Sequence, residues 1–387
     1  MYSIEYVIGT TRHIVYSPFD NTRKIVSGAY HRETNTIGSL TFSVLYNHPC
    51  HSYFEEYLGV VNLYWNNSLI GRSPSSLIYK FRIIKIHRNF YNTLTIQCEG
   101  VLGYLNDSIV RPYTFNETHW LYPIGDPGAH VCTAVEFLRE LIALHNIQVT
   151  AAQQFTFVDE TNGAFDSIAF TTSQTSYVKS WDEIESKVIR NIGGYVQLRF
   201  SGGNNLFVFK AALTEYNSQA IRLAQNLKSL ETETNSQKFA TALFPISTYT
   251  DSNGQRQTID IYNVNNSIYY VENNYAVRDY GRIIEFAQYE GITSASKLKE
   301  VAQRDLNNYI SRGRPIKVAA TDMAAVDSSY APLEVDKKTR ISSNVNGVDV
   351  VPVLNSFDVD ILDPRNSTYT FNGEVPSFVR KTYTQKT

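Results

Sequence analysis

The side chains able to do chemistry in this chain are few, and their spacing points away from catalysis. His130 and Cys132 lie close together, with His119 upstream and His145 downstream, two ligand types that a zinc ion accepts. His130 and Cys132 also sit just before a helix whose apolar face accounts for Cys132, so a structural role is the simpler reading. Asp358, Asp360 and Asp363 in DVDILDP alternate along one strand, and Glu55 and Glu56 are adjacent. A spacing of two puts Asp358 and Asp360 on one strand face, which suits Ca²⁺ at a subunit boundary or, more simply, the solvated face of a half-buried strand. There is no GxSxG elbow, no HExxH and no papain-like cysteine context. The glycines of NIGGYVQLRFSGGNN are followed by no GK[ST], so they read as a helix stop and a hairpin turn. The many acids offer no pair whose context would separate their pKa values, as a glycosidase requires. We therefore expect no catalytic, metal-binding or cofactor-binding residues.

Composition fits a large folded component. A length of 387 residues suggests roughly two to four domains. The 27 Tyr and 20 Phe favour strands and large subunit contacts. A net charge of −2 gives no basic footprint for phosphate backbones. Cys50, Cys98 and Cys132 are odd in number and form no CxxC pair, so neither a disulfide framework nor a zinc ribbon is suggested and free thiols are expected. Met1 to Thr10 has neither a basic start nor a long apolar core, and no apolar run approaches the ~18 residues that span a bilayer. The expectation is a soluble protein made without export, in which the Asn-x-Ser/Thr sites at Asn66, Asn106, Asn116 and Asn265 are uninformative.

The elements that position these residues are mostly short strands. SIEYVIG, HIVYSP, SLTFSVLYN and GVVNLYW precede a hairpin, FRIIKIHRNFYNTLTIQCEGVLGYLNDSIVRP, with strands at Phe81 to His87 and Leu94 to Glu99 around a polar turn at Asn89 and Asn92. Such regular spacing suggests a barrel over residues 1–115. Tyr53, Phe54 and Tyr57 form either a helical turn or an aromatic edge.

The period then changes. From Thr133 the spacing of Val135, Leu138, Leu141 and Ile142 predicts a helix, with Thr133 and Glu136 as a capping box. A second helix is expected over 180–190, capped by Ser180 with Glu183 three residues on, with Ile184 and Val188 inward and a stop at Gly193-Gly194. The hairpin YVQLRF, Ser201 to Asn204, LFVFKA completes a small α/β unit over 116–205. A third helix begins after Ser294, carries Leu298, Val301, Ala302, Leu306, Tyr309 and Ile310 on one face, and ends at Gly313 and Pro315. It belongs to an inserted α/β unit over 251–313. Residues 206–250 and 314–373 are assigned to a second barrel and 374–387 to a tail.

Five segments in this order carry a resemblance to a known family: the hairpin ending in CEGVLGYLNDSIVRP, KFATALFPI at Lys238 to Ile246, YGRIIEFAQYEGITSASKLKEVAQRDL, the region AATDM to DVV, and VLNSFDVDILDPRNSTYTFNG. Together they resemble the siphophage tail-hub family, the tail-associated (Tal) or prophage endopeptidase tail proteins, whose N-terminal module is related to the central hub of contractile baseplates. The loop Asn67 to Ser76 departs from the pattern. The chain also stops at Thr387, where many relatives continue into the C-terminal region that cleaves peptidoglycan.

The resemblance implies the hub module alone: mainly β with α+β insertions, two β-barrels plus two smaller α/β units, in a ring-forming homotrimer. It implies a structural, non-enzymatic component of the virion tail tip, made in the host cytoplasm. The implied partners are the distal tail protein, the tape-measure protein, and receptor-binding or adhesion proteins, with DNA only in transit. The alternatives are a tail-associated peptidoglycan hydrolase and a host-carbohydrate-binding adhesin.

Overall fold

The computed structural model describes residues 1–66, 75–115, 133–166, 170, 172–232, 239–250, 255–312, 316–327 and 329–372. The fold is mainly β, with 42% strand and 20% helix. Its centre is one eleven-stranded sheet curled as a half-barrel, in the order Leu227–Thr232, Ile316–Ala320, Thr368–Phe371, Leu354–Asp360, Ser27–Glu33, Ser39–Val44, Leu94–Gly100, Ser75–Arg88, Val60–Asn66, Tyr2–Ile8 and Thr11–Tyr16. Strands from both of the regions that the sequence assigned to barrels thus share this sheet, Leu227–Thr232, Ile316–Ala320, Leu354–Asp360 and Thr368–Phe371 coming from the second. They join where Leu354–Asp360 pairs antiparallel with Ser27–Glu33, Phe357 opposite Arg32 and Val359 opposite Tyr30.

Alternation decides which face of this sheet is dry. Ile4 and Tyr6, Val61 and Leu63, Phe81 and Ile83, and Leu40 and Phe42 are wholly buried, and Val318, Leu354 and Phe371 from the far end of the chain lie in the same core. Tyr30 is the hub of its aromatic packing, with ring centres 5.1 Å from Phe357, 5.8 Å from Phe81 and 6.4 Å from Tyr2. Edge-to-face pairs of this kind stabilise beyond the area they bury.

The hairpin expected at 81–99 is present and longer, as Ser75–Arg88 and Leu94–Gly100. Asn89 closes its turn by accepting the Thr93 amide on its side-chain oxygen at 3.0 Å, and Asn92 takes φ 58°, a left-handed conformation that asparagine tolerates. At its exit Gly100 leaves no room for a side chain, since a Cβ there would lie 2.1 Å from the Ile37 carbonyl oxygen. The chain then turns through a 3₁₀ segment, Val101–Asp107, whose Val101, Leu102 and Leu105 are buried in a second core. The hairpin therefore leads directly into the first α/β unit.

That unit packs helix Ala134–Gln148 on a three-stranded sheet in which Phe155–Glu160 runs parallel to Asn204–Lys210 and Tyr195–Ser201 antiparallel to it. Thr133 caps the helix as expected, accepting the Glu136 amide at 3.1 Å, while the Glu136 carboxylate pairs with Arg139 and does not reach back to complete a box. The second helix is α only over Ser180–Glu183 and continues as a π-helix over Ile184–Ile189. Ser180 is not its cap: burial draws its hydroxyl into a bond with Ser108 at 2.6 Å, and Glu183 accepts from Tyr113. The Gly202-Gly203 turn, with both φ positive at 57° and 87°, is the two-residue turn that matches strand twist.

The second unit has its own small core. Leu298, Val301, Ala302, Leu306 and Ile310 of helix Ala295–Arg312 pack on Leu243, Ala287 and Tyr289. Here Ala242–Thr250 runs parallel to Ile284–Glu290. The stretch 206–250, read from sequence as second barrel, is thereby shared among several sheets, because alternation marks a strand without naming its partner. The proposed helix stop at Gly313 and Pro315, the tail 374–387 and most of the loop 67–76 lie outside the described residues. The two units touch where Arg304 lies over the Phe165 ring, 5.6 Å from its centre, and where Lys187 meets Glu290 at 3.2 Å.

Arg82 binds the hairpin to its exit. Its buried guanidinium donates to Glu99 at 2.6 Å, to the Gly103 carbonyl at 3.1 Å and to both oxygens of Asp107, with the Tyr104 ring 5.2 Å away. Removing the cation strands two partly buried carboxylates, so Arg82→Ala is expected to cost about 3–5 kcal/mol of stability, measured by urea unfolding. A cost below about 1 kcal/mol would mean that the cluster is solvated like a surface pair.

Candidate functional site

The candidate chemical residues that the structure describes do not meet in one site. His119, His130 and Cys132 lie outside the described residues. His145, the fourth of that set, faces away from solvent in a wholly buried network. Its Nδ1 is 2.8 Å from the Ser108 hydroxyl, which also meets Ser180, and its Nε2 is 3.1 Å from the Gln153 carbonyl. A carbonyl accepts only, so Nε2 carries the proton and Ser108 donates to Nδ1. That is the polarity of a serine–histidine dyad, yet Ser108, Ser180 and His145 are each 0% exposed and no substrate reaches them.

The carboxylates are occupied locally. Asp358 pairs with His31 at 2.8 Å, Asp360 accepts the Leu362 and Asp363 amides, and Asp363 pairs with Arg365 at 2.6 Å, which holds its carboxyl below the ordinary range. Asp358 and Asp360 are both on the exposed face of their strand, the solvated-face reading. The Glu56 carboxylate accepts the Ile86 amide at 3.0 Å. Cys50 and Cys98 are buried free thiols, and burial pushes Cys98 far above its ordinary value. Among the described residues no group of three or more His, Cys, Asp or Glu side chains is placed to hold a metal.

What the chain does assemble is a junction. A cleft of about 820 Å³ opens between the large sheet, the strand Tyr195–Ser201 and the segment 329–337, with Trp65, Tyr79, Arg199, Glu215 and Tyr330 among its walls. Arg199, Glu215, Glu334 and Lys337 of its lining belong to a cluster in which three cations meet three carboxylates. Arg199 donates to Glu160 at 2.5 and 3.0 Å, Lys210 to Glu215 at 2.5 Å, and Lys337 lies 2.9 Å from Glu334 and 3.8 Å from Glu215. The bond from Arg199 lowers the pKa of Glu160, and that from Lys210 lowers Glu215. Behind them Arg32 lies 4.1 Å over the Tyr79 ring, and Asp336, its pKa raised by burial, accepts from Thr34 at 2.7 Å.

These residues come from the first strands, the first α/β unit and the late connecting segment. The arrangement can orient one folded unit on another. Sequence reasoning did not find it, since six charges spread over residues 160–337 carry no local signal.

Part of the pH dependence follows from His145; His48 is lowered by burial in the same direction. Burial lowers the His145 pKa below the ordinary 6.5, so the folded protein keeps it neutral where the unfolded chain protonates. Its contribution to stability is therefore present above pH ~6.5 and is lost as pH falls through that value toward the lowered one. We expect His145→Gln to flatten the acid limb of a thermal-midpoint profile between pH ~7 and ~5. An unchanged slope would show that other groups set it.

Comparison with known proteins follows the same lines. No curated protein sequence matches the chain. Three solved tail proteins share its fold over nearly the whole length. The prophage tail protein gp18 from Listeria monocytogenes EGD-e is 13% identical, with a TM-score of 0.57 over 97% of this chain and 95% of that one. The tail protein from Neisseria meningitidis MC58 is 9% identical, with 0.61 over 96% of each. The 43 kDa tail protein of prophage MuSo2 from Shewanella oneidensis is 10% identical, with 0.56 over 96% and 97%. The hairpin segment Phe81 to Pro112 lies outside the family match, which covers the later resembling segments, and the chain as a whole has a phage tail protein fold. Over residues 215–381 it matches the family described as prophage endopeptidase tail, as the sequence resemblance led us to expect.

Proposed function

We propose that this chain is the structural hub of a phage or phage-like tail tip, a trimeric adaptor that joins the tail tube or distal tail ring to the tip and forms or closes the DNA exit channel. The observation that carries the reading is the eleven-stranded curled sheet, which ends in two different strands, Leu227–Thr232 and Thr11–Tyr16. A sheet with unlike ends is suited to heterologous contacts, and a heterologous contact closed by rotation makes a ring. Three copies, each contributing two barrel-like halves of one sheet, would present six similar segments to a six-fold tube. The tape-measure protein and the receptor-binding or adhesion proteins would then contact the tube side and the far side.

The two α/β units supply the closure. Among the described residues they touch each other through Arg304, on the Phe165 ring and beside Gly193, and through the ion pair of Lys187 with Glu290, a small contact for units with separate cores. Relative movement there would open the passage while the sheet stays intact.

A purified sample is expected to have the mass of three chains by light scattering and to show a three-fold ring in electron micrographs. A monomer without rings under virion-like ionic conditions would sink the reading. A zymogram on host cell walls separates it from the hydrolase alternative, since a hub leaves no clearing.

A further inference from the structure

The most exposed large apolar side chain among the described residues, Phe90, stands beside exposed Tyr91 at the tip of the hairpin Ser75–Arg88 and Leu94–Gly100. Phe90 is 94% and Tyr91 78% exposed. They are held there by a turn that is fully made: the Asn89 amide donates to the Thr93 carbonyl at 3.1 Å, Asn89 Oδ1 accepts the Thr93 amide, and His51 Nε2 lies 3.0 Å from the Asn92 carbonyl. The two rings stand edge to face, 5.4 Å apart. Beside them, at the same end of the sheet, are exposed Leu45, Tyr46 and Tyr53.

The hairpin segment itself carries no acid behind the tip. Lys85, His87 and Arg88 are exposed on the outgoing strand, and residues 85–98 contain no Asp or Glu. The exposed Glu55 and Glu56 belong to the neighbouring segment, and the Glu56 carboxylate accepts the Ile86 amide at 3.0 Å, between Lys85 and Arg88. At a strand rise of about 3.4 Å per residue, Arg88 trails Phe90 by about 7 Å and Lys85 by about 17 Å. An apolar group seated in a bilayer interface reaches about 5–10 Å into the headgroup and acyl boundary. Seating Phe90 at that depth brings Arg88 level with lipid phosphates, where each Lys or Arg gains about 1 kcal/mol from an anionic leaflet.

We propose that the Phe90–Tyr91 tip is a membrane-interface anchor that inserts into an anionic lipid surface. Its shape favours lipid over a protein socket. Two rings on a hairpin turn with Arg88 and Lys85 behind them match a layered headgroup region, whereas a protein interface core is a broad, closely packed patch. The proposal does not require the trimer, although three tips on one ring would bind with avidity.

The test is co-sedimentation of the full chain with vesicles of equal parts phosphatidylglycerol and phosphatidylcholine, against phosphatidylcholine alone. The chain is expected to pellet with the anionic vesicles and to release as ionic strength rises. Phe90→Ser with Tyr91→Ser should weaken binding roughly tenfold or more while leaving the thermal midpoint and the solution mass unchanged. In a Phe90→Trp variant the added emission should shift to the blue on those vesicles. Failure to pellet, pelleting of the double variant like the parent, or an unshifted tryptophan would overturn the proposal. So would a parent that ignores lipid but whose double variant is lost from assembled particles, which would assign the tip to a protein pocket. A sample that binds vesicles as a monomer would instead reject the hub reading alone.

Discussion

The pairing of Leu354–Asp360 with Ser27–Glu33 is the constraint on which the architecture rests. It joins strands more than three hundred residues apart and so makes one sheet from the two ends of the chain. Tyr30 and Phe357 close the aromatic core across that seam, while the Thr34 amide donates to the Asn355 carbonyl and the Thr34 hydroxyl to Asp336. Of the described residues between 101 and 312, only Leu227–Thr232 joins this sheet. The junction of Arg199, Lys210 and Lys337 with Glu160, Glu215 and Glu334 then fixes how the first unit stands on it.

Much of the local structure was legible in the sequence because it depends on neighbours in the chain. Thr133 caps its helix, Gly202-Gly203 turns its hairpin, and the stripe from Leu298 to Ile310 is buried. Ser180 was misread for the same reason that Thr133 was read correctly: a serine before an apolar run looks like a cap until a distant Ser108 claims its hydroxyl. The assignment of 206–250 depended on partners that alternation does not name, and only pairing separates Leu227–Thr232 in the large sheet from Ala242–Thr250 in the small one.

The site was less legible than the fold. The candidate carboxylates proved to be locally satisfied, and the junction that replaces them has no motif. The buried Ser108–His145 pair is instructive. Its hydrogen-bond polarity is that of an activated nucleophile, and it differs from one only in access and in having a carbonyl where a carboxylate would orient the ring. The chain uses the arrangement as packing, tying the 3₁₀ exit of the hairpin to both helices of the first unit.

The seam between the chain's two ends also sets the order of birth. During synthesis Ser27–Glu33 has its partner Ser39–Val44 within a few residues, but its other edge waits for Leu354–Asp360. At ordinary elongation rates of about 5–20 residues per second, that wait lasts on the order of tens of seconds. A half-finished sheet therefore sits on the ribosome with an open strand in the middle of its future core, a template for any neighbouring nascent chain. Non-local pairing of this kind folds slowly, so the two intervening units have time to fold before the frame that carries them is complete.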